Sequence, residues 1–267
     1  MTEYLTRPQG RIAYDIAGDG PLVVCAHGMG DLRSVYRFLT PGLVEAGYRV
    51  ATMDLRGHGE SDATFSAYDD VALATDLIAL TQHLGGPAAL VGNSMAAGAA
   101  VWAAAEAPAL VSGLVLIGPF VRNAPIGKLA MLAFRAGLVR PWGPAVWNSY
   151  YPKFFPGRPP ADLEEHRARI RGSLRRPDHW KAFTATTHTS HAPAEARLGE
   201  VRAPALVVMG EKDPDFPDPG AEARLVAERL RAEIVMVPEA GHMPQAEYPE
   251  VVTPAALGFL ARVAPRA

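Results

Sequence analysis

Only one cysteine, Cys25, occurs in the 267 residues. No internal disulfide can form, and the fold does not rest on oxidation. Cys25 stands in the apolar run Leu22–Ala26, where a thiol reads as a buried packing group rather than a nucleophile. An excess of either charge is also missing. The 26 basic side chains face 28 acidic ones, a formal net charge of -2, which offers no electrostatic footprint for nucleic acid or an anionic membrane. The opening residues, MTEYLTRPQG, have no basic stretch followed by an apolar one, so no secretory leader is read and a cytoplasmic protein is expected. No apolar run reaches the ~20 residues of a membrane span. The longest nearly uncharged stretch, residues 84–105, is broken by Gly85, Gly86, Pro87, Gly92 and Asn93 and reads as strand, turn and helix. Repeats and low-complexity segments are lacking. Half the residues (49%) are hydrophobic and 20% charged, the balance of a soluble globular protein long enough for one large α/β domain or two small ones.

Short apolar runs at residues 22–26, 50–53, 88–91, 111–117, 205–209 and 234–237 do not alternate with polar residues. Such runs suit strands buried on both faces of a parallel sheet. Helix-like stretches at 32–46, 71–84, 95–107 and 220–231 lie between them. The alternation predicts an α/β fold with a mostly parallel, doubly wound sheet and right-handed crossovers. Residues 4–6 and 11–16, before Gly18-Asp19-Gly20, read as an antiparallel edge. Between residues 121 and 198 strand signals vanish and aromatic residues gather. That segment is expected to be a helical cap inserted into a core formed by residues 1–120 and 199–267.

Three side chains stand out for chemistry. Ser94 lies in Val91-Gly92-Asn93-Ser94-Met95-Ala96, after a strand and before an Ala-rich helix. A serine on such a turn is held with its hydroxyl exposed above the sheet edge, and small neighbours tolerate the strained backbone. A helix-capping serine is the plainer reading of the same residue. His242, in Gly241-His242-Met243, follows the last apolar run and taken alone is a loop histidine. Asp213, in Gly210-Glu211-Lys212-Asp213-Pro214, follows another run and taken alone is a turn aspartate. Taken together, all three fall in loops after buried runs, which in parallel sheets gather at one edge where ligands bind. His27-Gly28-Met29-Gly30 follows the first buried run. Its Met29 N–H and the Met95 N–H form a candidate oxyanion site, while the His27 ring is read as a loop brace. The charged loop Asp54-Leu55-Arg56-Gly57-His58-Gly59-Glu60-Ser61-Asp62 is read as bracing too. It lacks the third glycine of a dinucleotide loop and follows the wrong strand. No histidine–carboxylate cluster has zinc-like spacing, so neither metal nor organic cofactor is expected.

In this order, His27-Gly28-Met29-Gly30, Asp54 to Ser61, Gly92-Asn93-Ser94-Met95-Ala96, Gly210-Glu211-Lys212-Asp213 and Gly241-His242 resemble the cap-bearing α/β-hydrolase superfamily across essentially the whole chain. The resemblance implies Ser94 as nucleophile, Asp213 as acid at the Gly-x-x-Asp position, His242 as base, and the Met29 and Met95 N–H groups as oxyanion donors. Two departures stand out. Ala96 replaces the last glycine of the usual elbow. Gly92-Asn93-Ser94-Met95 resembles the elbow of carbon–carbon bond hydrolases of ring-cleavage products, which carry a tryptophan where this chain has Met243. Serine at position 94 argues against haloalkane dehalogenases and epoxide hydrolases, whose nucleophile is aspartate.

The expected activity is hydrolysis of a carboxylic ester or lactone through an acyl-enzyme on Ser94. A carbon–carbon hydrolase using the same residues is the nearest alternative, and a triad-bearing small-molecule receptor is the alternative from another class. The expected partner is a small molecule, not nucleic acid or membrane. Trp142, Trp147 and Tyr150 of the insert and Phe120 at its entrance are expected to line a mainly apolar pocket. The cluster Glu164, Glu165, His166, Arg167, Arg169, Arg171, Arg175 and Arg176 is expected to be a solvated face.

Overall fold

The structure, a computed structural model, describes residues 1–123 and 127–264. Among these, eight strands form one sheet in the order β1-β2-β4-β3-β5-β6-β7-β8. They are β1 Thr2–Arg7, β2 Gly10–Ala17, β3 Leu22–Ala26, β4 Arg49–Met53, β5 Ala88–Asn93, β6 Val111–Ile117, β7 Ala205–Gly210 and β8 Glu233–Val237. β2 pairs antiparallel with both β1 and β4, and every later pairing is parallel. The doubly wound α/β arrangement follows from the run pattern. β3, β5 and β7 are buried at every position, because helices cover both faces and burial on both sides selects apolar residues.

On one face Val24, Leu90 and Leu116 pack against α2 Asp70–His83, α3 Met95–Glu106 and α9 Pro219–Leu230. On the other, Val23, Val91 and Ile117 pack against α1 Thr40–Glu45 and the C-terminal helices α10 Pro244–Glu247 and α11 Pro249–Val263. Each fully buried Val or Leu there contributes about 1.5–3 kcal/mol of transfer free energy. Asp69 caps α2 by accepting from Ala72 N–H, and Asp218 caps α9 by accepting from Ala221 N–H, each stabilising its helix by about 1 kcal/mol. The Cys25 thiol is fully buried, and burial raises its pKa.

One helix expected from the pattern is divided. Residues 32–46 form a 3₁₀ helix, Arg33–Phe38, followed by the short α1. Pro41 has no N–H to return to the preceding turn, so a continuous α-helical ladder cannot run through it.

Between β6 and β7 the described residues form no strand of the sheet. They form α4 Lys128–Gly137, α5 Gly143–Tyr150, a 3₁₀ turn Tyr151–Phe154, α6 Leu163–Leu174, α7 Pro177–Thr186 and α8 Ala192–Arg197. The cluster of charges in α6 is not the uniformly solvated face expected of it. His166 is 1% exposed, and its Nε2 lies 2.7 Å from Asp31 Oδ1. Tyr151 Oη donates to Asp31 Oδ2 (2.9 Å). Arg176 donates to the Gly59 carbonyl. His166 and Tyr151 fasten the insert to the loop after β3 and Arg176 to the loop after β4, whereas Glu164, Glu165 and Arg169 do face solvent. A helix presents several faces, and only the docked structure decides which of them is covered.

Candidate active site

Ser94 stands between β5 and α3 with φ 59° and ψ −126°. This backbone region costs a non-glycine residue on the order of 1–3 kcal/mol and persists only where the surroundings enforce it. The enforcing bonds are Ser94 N–H to the Ile117 carbonyl (2.9 Å), and Ala97 N–H and Phe120 N–H to the Ser94 carbonyl (3.0 and 3.3 Å). The side chain is 7% exposed.

His242 follows β8, and Asp213 follows β7. Their contact is direct: His242 Nδ1 lies 2.7 Å from Asp213 Oδ2. Both are 2% exposed. Asp213 is the acid that meets the ring at Nδ1, as expected, while Asp215 approaches the opposite edge, its Oδ2 3.7 Å from Nε2. The histidine loop is anchored at three points. Asn93 Nδ2 donates to the His242 carbonyl (3.2 Å), His242 N–H donates to the Phe154 carbonyl (3.0 Å), and Gly241 N–H donates to Glu247. Gly118, at φ +49°, passes directly beneath the pair. A Cβ there would fall 2.9 Å from His242 Nδ1 and 3.1 Å from Asp213 Oδ2, so a side chain at 118 would part them.

The electrostatics fix protonation. Burial disfavours the His242 imidazolium, but Asp213 and then Asp215 favour it more strongly and raise its pKa to about 9. Burial raises the Asp215 carboxyl above the ordinary carboxylate range, with His242 opposing.

The loop after β3 lies against Ser94. A Cβ on Gly28 would come within 2.8 Å of the Ser94 Cβ. Two histidines hold this loop, and both act as acceptors. His27 Nε2 accepts from Leu55 N–H (3.1 Å), and His58 Nε2 accepts from Gly30 N–H (3.0 Å). Burial, the largest influence on each, lowers their pKa values to about 4 and about 3, so both are neutral at pH 7. Asp54 accepts from Arg33 N–H, from the Arg33 guanidinium and from Glu60 N–H, which ties the 54–62 loop to the same region. Among the described residues the N–H groups of Met29 and Met95 bond no protein group, while those of their neighbours Gly30 and Ser94 are taken. Met95 opens α3, so its N–H adds to the positive end of the helix dipole.

The four expected lining residues separate. Phe120 lies 5.9 Å from the His242 ring, centroid to centroid. Tyr150 donates its hydroxyl to Asp215 Oδ1 (3.3 Å). Trp147 is buried, and its Nε1–H donates to the Gly30 carbonyl (3.1 Å), so it holds the β3 loop. Trp142 does not join them. It is 55% exposed, and its Nε1–H bonds the Ala136 carbonyl; an indole at a helix start has no partner face until the helices dock. Phe154 and Phe216 belong to the site although the sequence did not single them out. Phe154 lies 5.3 Å from the His242 ring, and Phe216 packs on Phe120 at 4.7 Å. Phe216, three residues past Asp213 in Asp213-Pro214-Asp215-Phe216, offered a positional signal, whereas Phe154 was one of many aromatics. Two open clefts, of about 610 and 720 Å³, lie elsewhere: beside Arg33, Asp54 and Arg176, and along Leu132, Arg140 and Trp180.

A strained serine after a buried strand, a histidine–aspartate pair on two later crossover loops, and free N–H groups beside the serine define a hydrolase of the doubly wound α/β class. The alpha/beta hydrolase family matches residues 23–255, and the chain belongs to that family. It is 29% identical over 263 residues to the 2-(acetamidomethylene)succinate hydrolase of Mesorhizobium japonicum, covering 94% of this chain and 92% of that protein. It is 31% identical over 268 residues to the 2-hydroxy-6-oxononadienedioate/2-hydroxy-6-oxononatrienedioate hydrolase of Klebsiella pneumoniae, covering 94% and 91%. Among solved structures, an esterase from Thermogutta terrifontis superposes with a TM-score of 0.80 at 26% identity, covering 99% of each chain. No helix among the described residues is long and apolar enough to cross a membrane.

Proposed function

We propose that the protein hydrolyses a carboxylic ester or lactone of a mainly apolar small molecule through an acyl-enzyme on Ser94. The 2.7 Å contact of His242 Nδ1 with Asp213 carries this reading, because it leaves Nε2 as the nitrogen that exchanges the proton. In the reaction His242 Nε2 takes the Ser94 proton as Oγ attacks the carbonyl carbon, and Asp213 stabilises the imidazolium. The Met29 and Met95 N–H groups receive the developing oxyanion. The imidazolium then returns the proton to the leaving oxygen, and a water deprotonated by the same nitrogen releases the acid. The helical insert acts as a cap over this centre, with Tyr150 and Phe154 on its inner side and Phe120 of the core facing them. No step calls for a metal or an organic cofactor.

Carbon–carbon bond hydrolysis is the second reading, favoured by the Gly92-Asn93-Ser94-Met95 elbow and by the Klebsiella relative's name. Two measurements test the first reading. Ser94→Ala should lower kcat on a neutral ester by several orders of magnitude with the fold intact, as loss of a triad member does. A fluorophosphonate should modify Ser94 alone. Labelling elsewhere, or a nearly active Ser94→Ala protein, refutes the assignment.

A further inference from the structure

His242 lies between two carboxylates, and the reaction above uses only one of them. Asp215 Oδ2 stands 3.7 Å from Nε2, the nitrogen that returns the proton to the leaving group. Its placement is built rather than incidental. Asp215 N–H donates to Asp213 Oδ1 (3.0 Å), which locks the two acids together, and Tyr150 Oη holds its Oδ1 (3.3 Å). Its side chain keeps 21% of its exposure, whereas that of Asp213 keeps none. Among the described residues no arginine or lysine pairs with it. The basic side chains against the surrounding rings are Lys153, whose Nζ lies 5.4 Å from the Tyr150 centroid, and His191, 5.6 Å from Phe120 and paired with Asp70.

The rest of the surroundings is aromatic. Phe154 and Phe120 lie 5.3 and 5.9 Å from the His242 ring, and Tyr150 meets Phe154 edge-on at 5.2 Å. Aromatic faces within ~6 Å of a cation attract it through the ring quadrupole, and quaternary ammonium groups are recognised in this way. Two carboxylates, Asp213 and Asp215, face this single ring, so even a protonated His242 matches only one of them, and the second charge is left to attract a cation.

We propose that Asp215, with the rings of Phe120, Tyr150 and Phe154, forms a subsite for an ammonium group on the leaving-group side, so that the preferred substrates are esters of amino or quaternary-ammonium alcohols. The location of the leaving group rests on the acyl-transfer reading. A carboxylate placed there would meet Asp215 as a like charge, so substrates acidic near the scissile bond are turned away. An ammonium partner would also relieve the cost of burying Asp215, which His242 and the Tyr150 hydroxyl oppose.

A matched pair of esters tests this: a choline ester and its 3,3-dimethylbutyl isostere, which has the same shape and no charge. The native protein should favour the choline ester by about tenfold or more in kcat/KM, the size of a desolvated cation–aromatic contact. Asp215→Asn should bring the ratio close to one. A native ratio at or below one overturns the subsite, as does a ratio that Asp215→Asn leaves unchanged. If the variant fails to fold, the native ratio decides. Calorimetric binding of tetramethylammonium to the Ser94→Ala protein separates this proposal from the reaction itself. Binding supports the subsite even if no ester is turned over. Ester turnover with neither binding nor charge preference removes the subsite and leaves the hydrolase reading standing.

Discussion

The pH dependence of ester hydrolysis follows from the position of His242. The groups facing its ring are Asp213, Asp215 and, farther away, Asp31, and all three favour the imidazolium while burial opposes it. The outcome is a pKa of about 9, so at pH 7 the basic form is only about 1% of the free protein and at pH 9 about half. Since kcat/KM reports the free enzyme's essential base, it should rise about fiftyfold from pH 7 to pH 9 with unit slope, then level off. The assay is pH-stat titration of a neutral ester from pH 6 to 10.5 at substrate well below KM. Asp215→Asn removes one of the two nearest charges and should move the inflection downward. A native profile already flat above pH 7 would refute the reasoning, because it would mean that the two carboxylates do not outweigh burial.

The same ring bears on stability with the opposite slope to most carboxylates. Its folded pKa is raised, so its contribution is complete below the unfolded value of about 6.5 and is lost as pH climbs through about 9. His27 and His58 work in the other direction. Their folded values, about 4 and about 3, lie below the unfolded value, so stability is full above pH 6.5 and falls on acidification. Between pH 7.5 and pH 5 the two should cost about 4 kcal/mol together, of which the rising His242 contribution returns about 1.5 kcal/mol, a net loss read from urea midpoints at fixed ionic strength; an unchanged midpoint would exclude neutral buried rings. Gly30→Ala tests the loop after β3. At φ +71° its Cβ would lie 2.4 Å from the Trp147 ring and 2.7 Å from Phe183, so about 1–3 kcal/mol of stability and a larger share of kcat than of KM should be lost. Full activity in that variant would show that Met29 does not serve the oxyanion.

The run pattern was enough for the parallel sheet, the antiparallel edge and the chain order of Ser94, Asp213 and His242. Burial on both faces leaves a mark on composition, and strand-to-loop transitions leave glycines and prolines. The break at Pro41 and the length of β1 and β2 were less legible, since local propensity says little about where a ladder ends. The choice of Asp213 over Asp215 came from a motif position. The different use of the two acids did not, because two residues along a turn after β7 present their side chains to opposite edges of one imidazole. His166 and Trp142 show the same limit. Within their own helix segments, a charged stretch expected in solvent and an indole expected in a pocket are alike in being undecided. Docking buried His166 against Asp31 and left Trp142 in solvent. Sequence determines which residues are available to each strand, turn and helix; which of them meet is decided by packing between segments distant in the chain, where each contact depends on all the others being made.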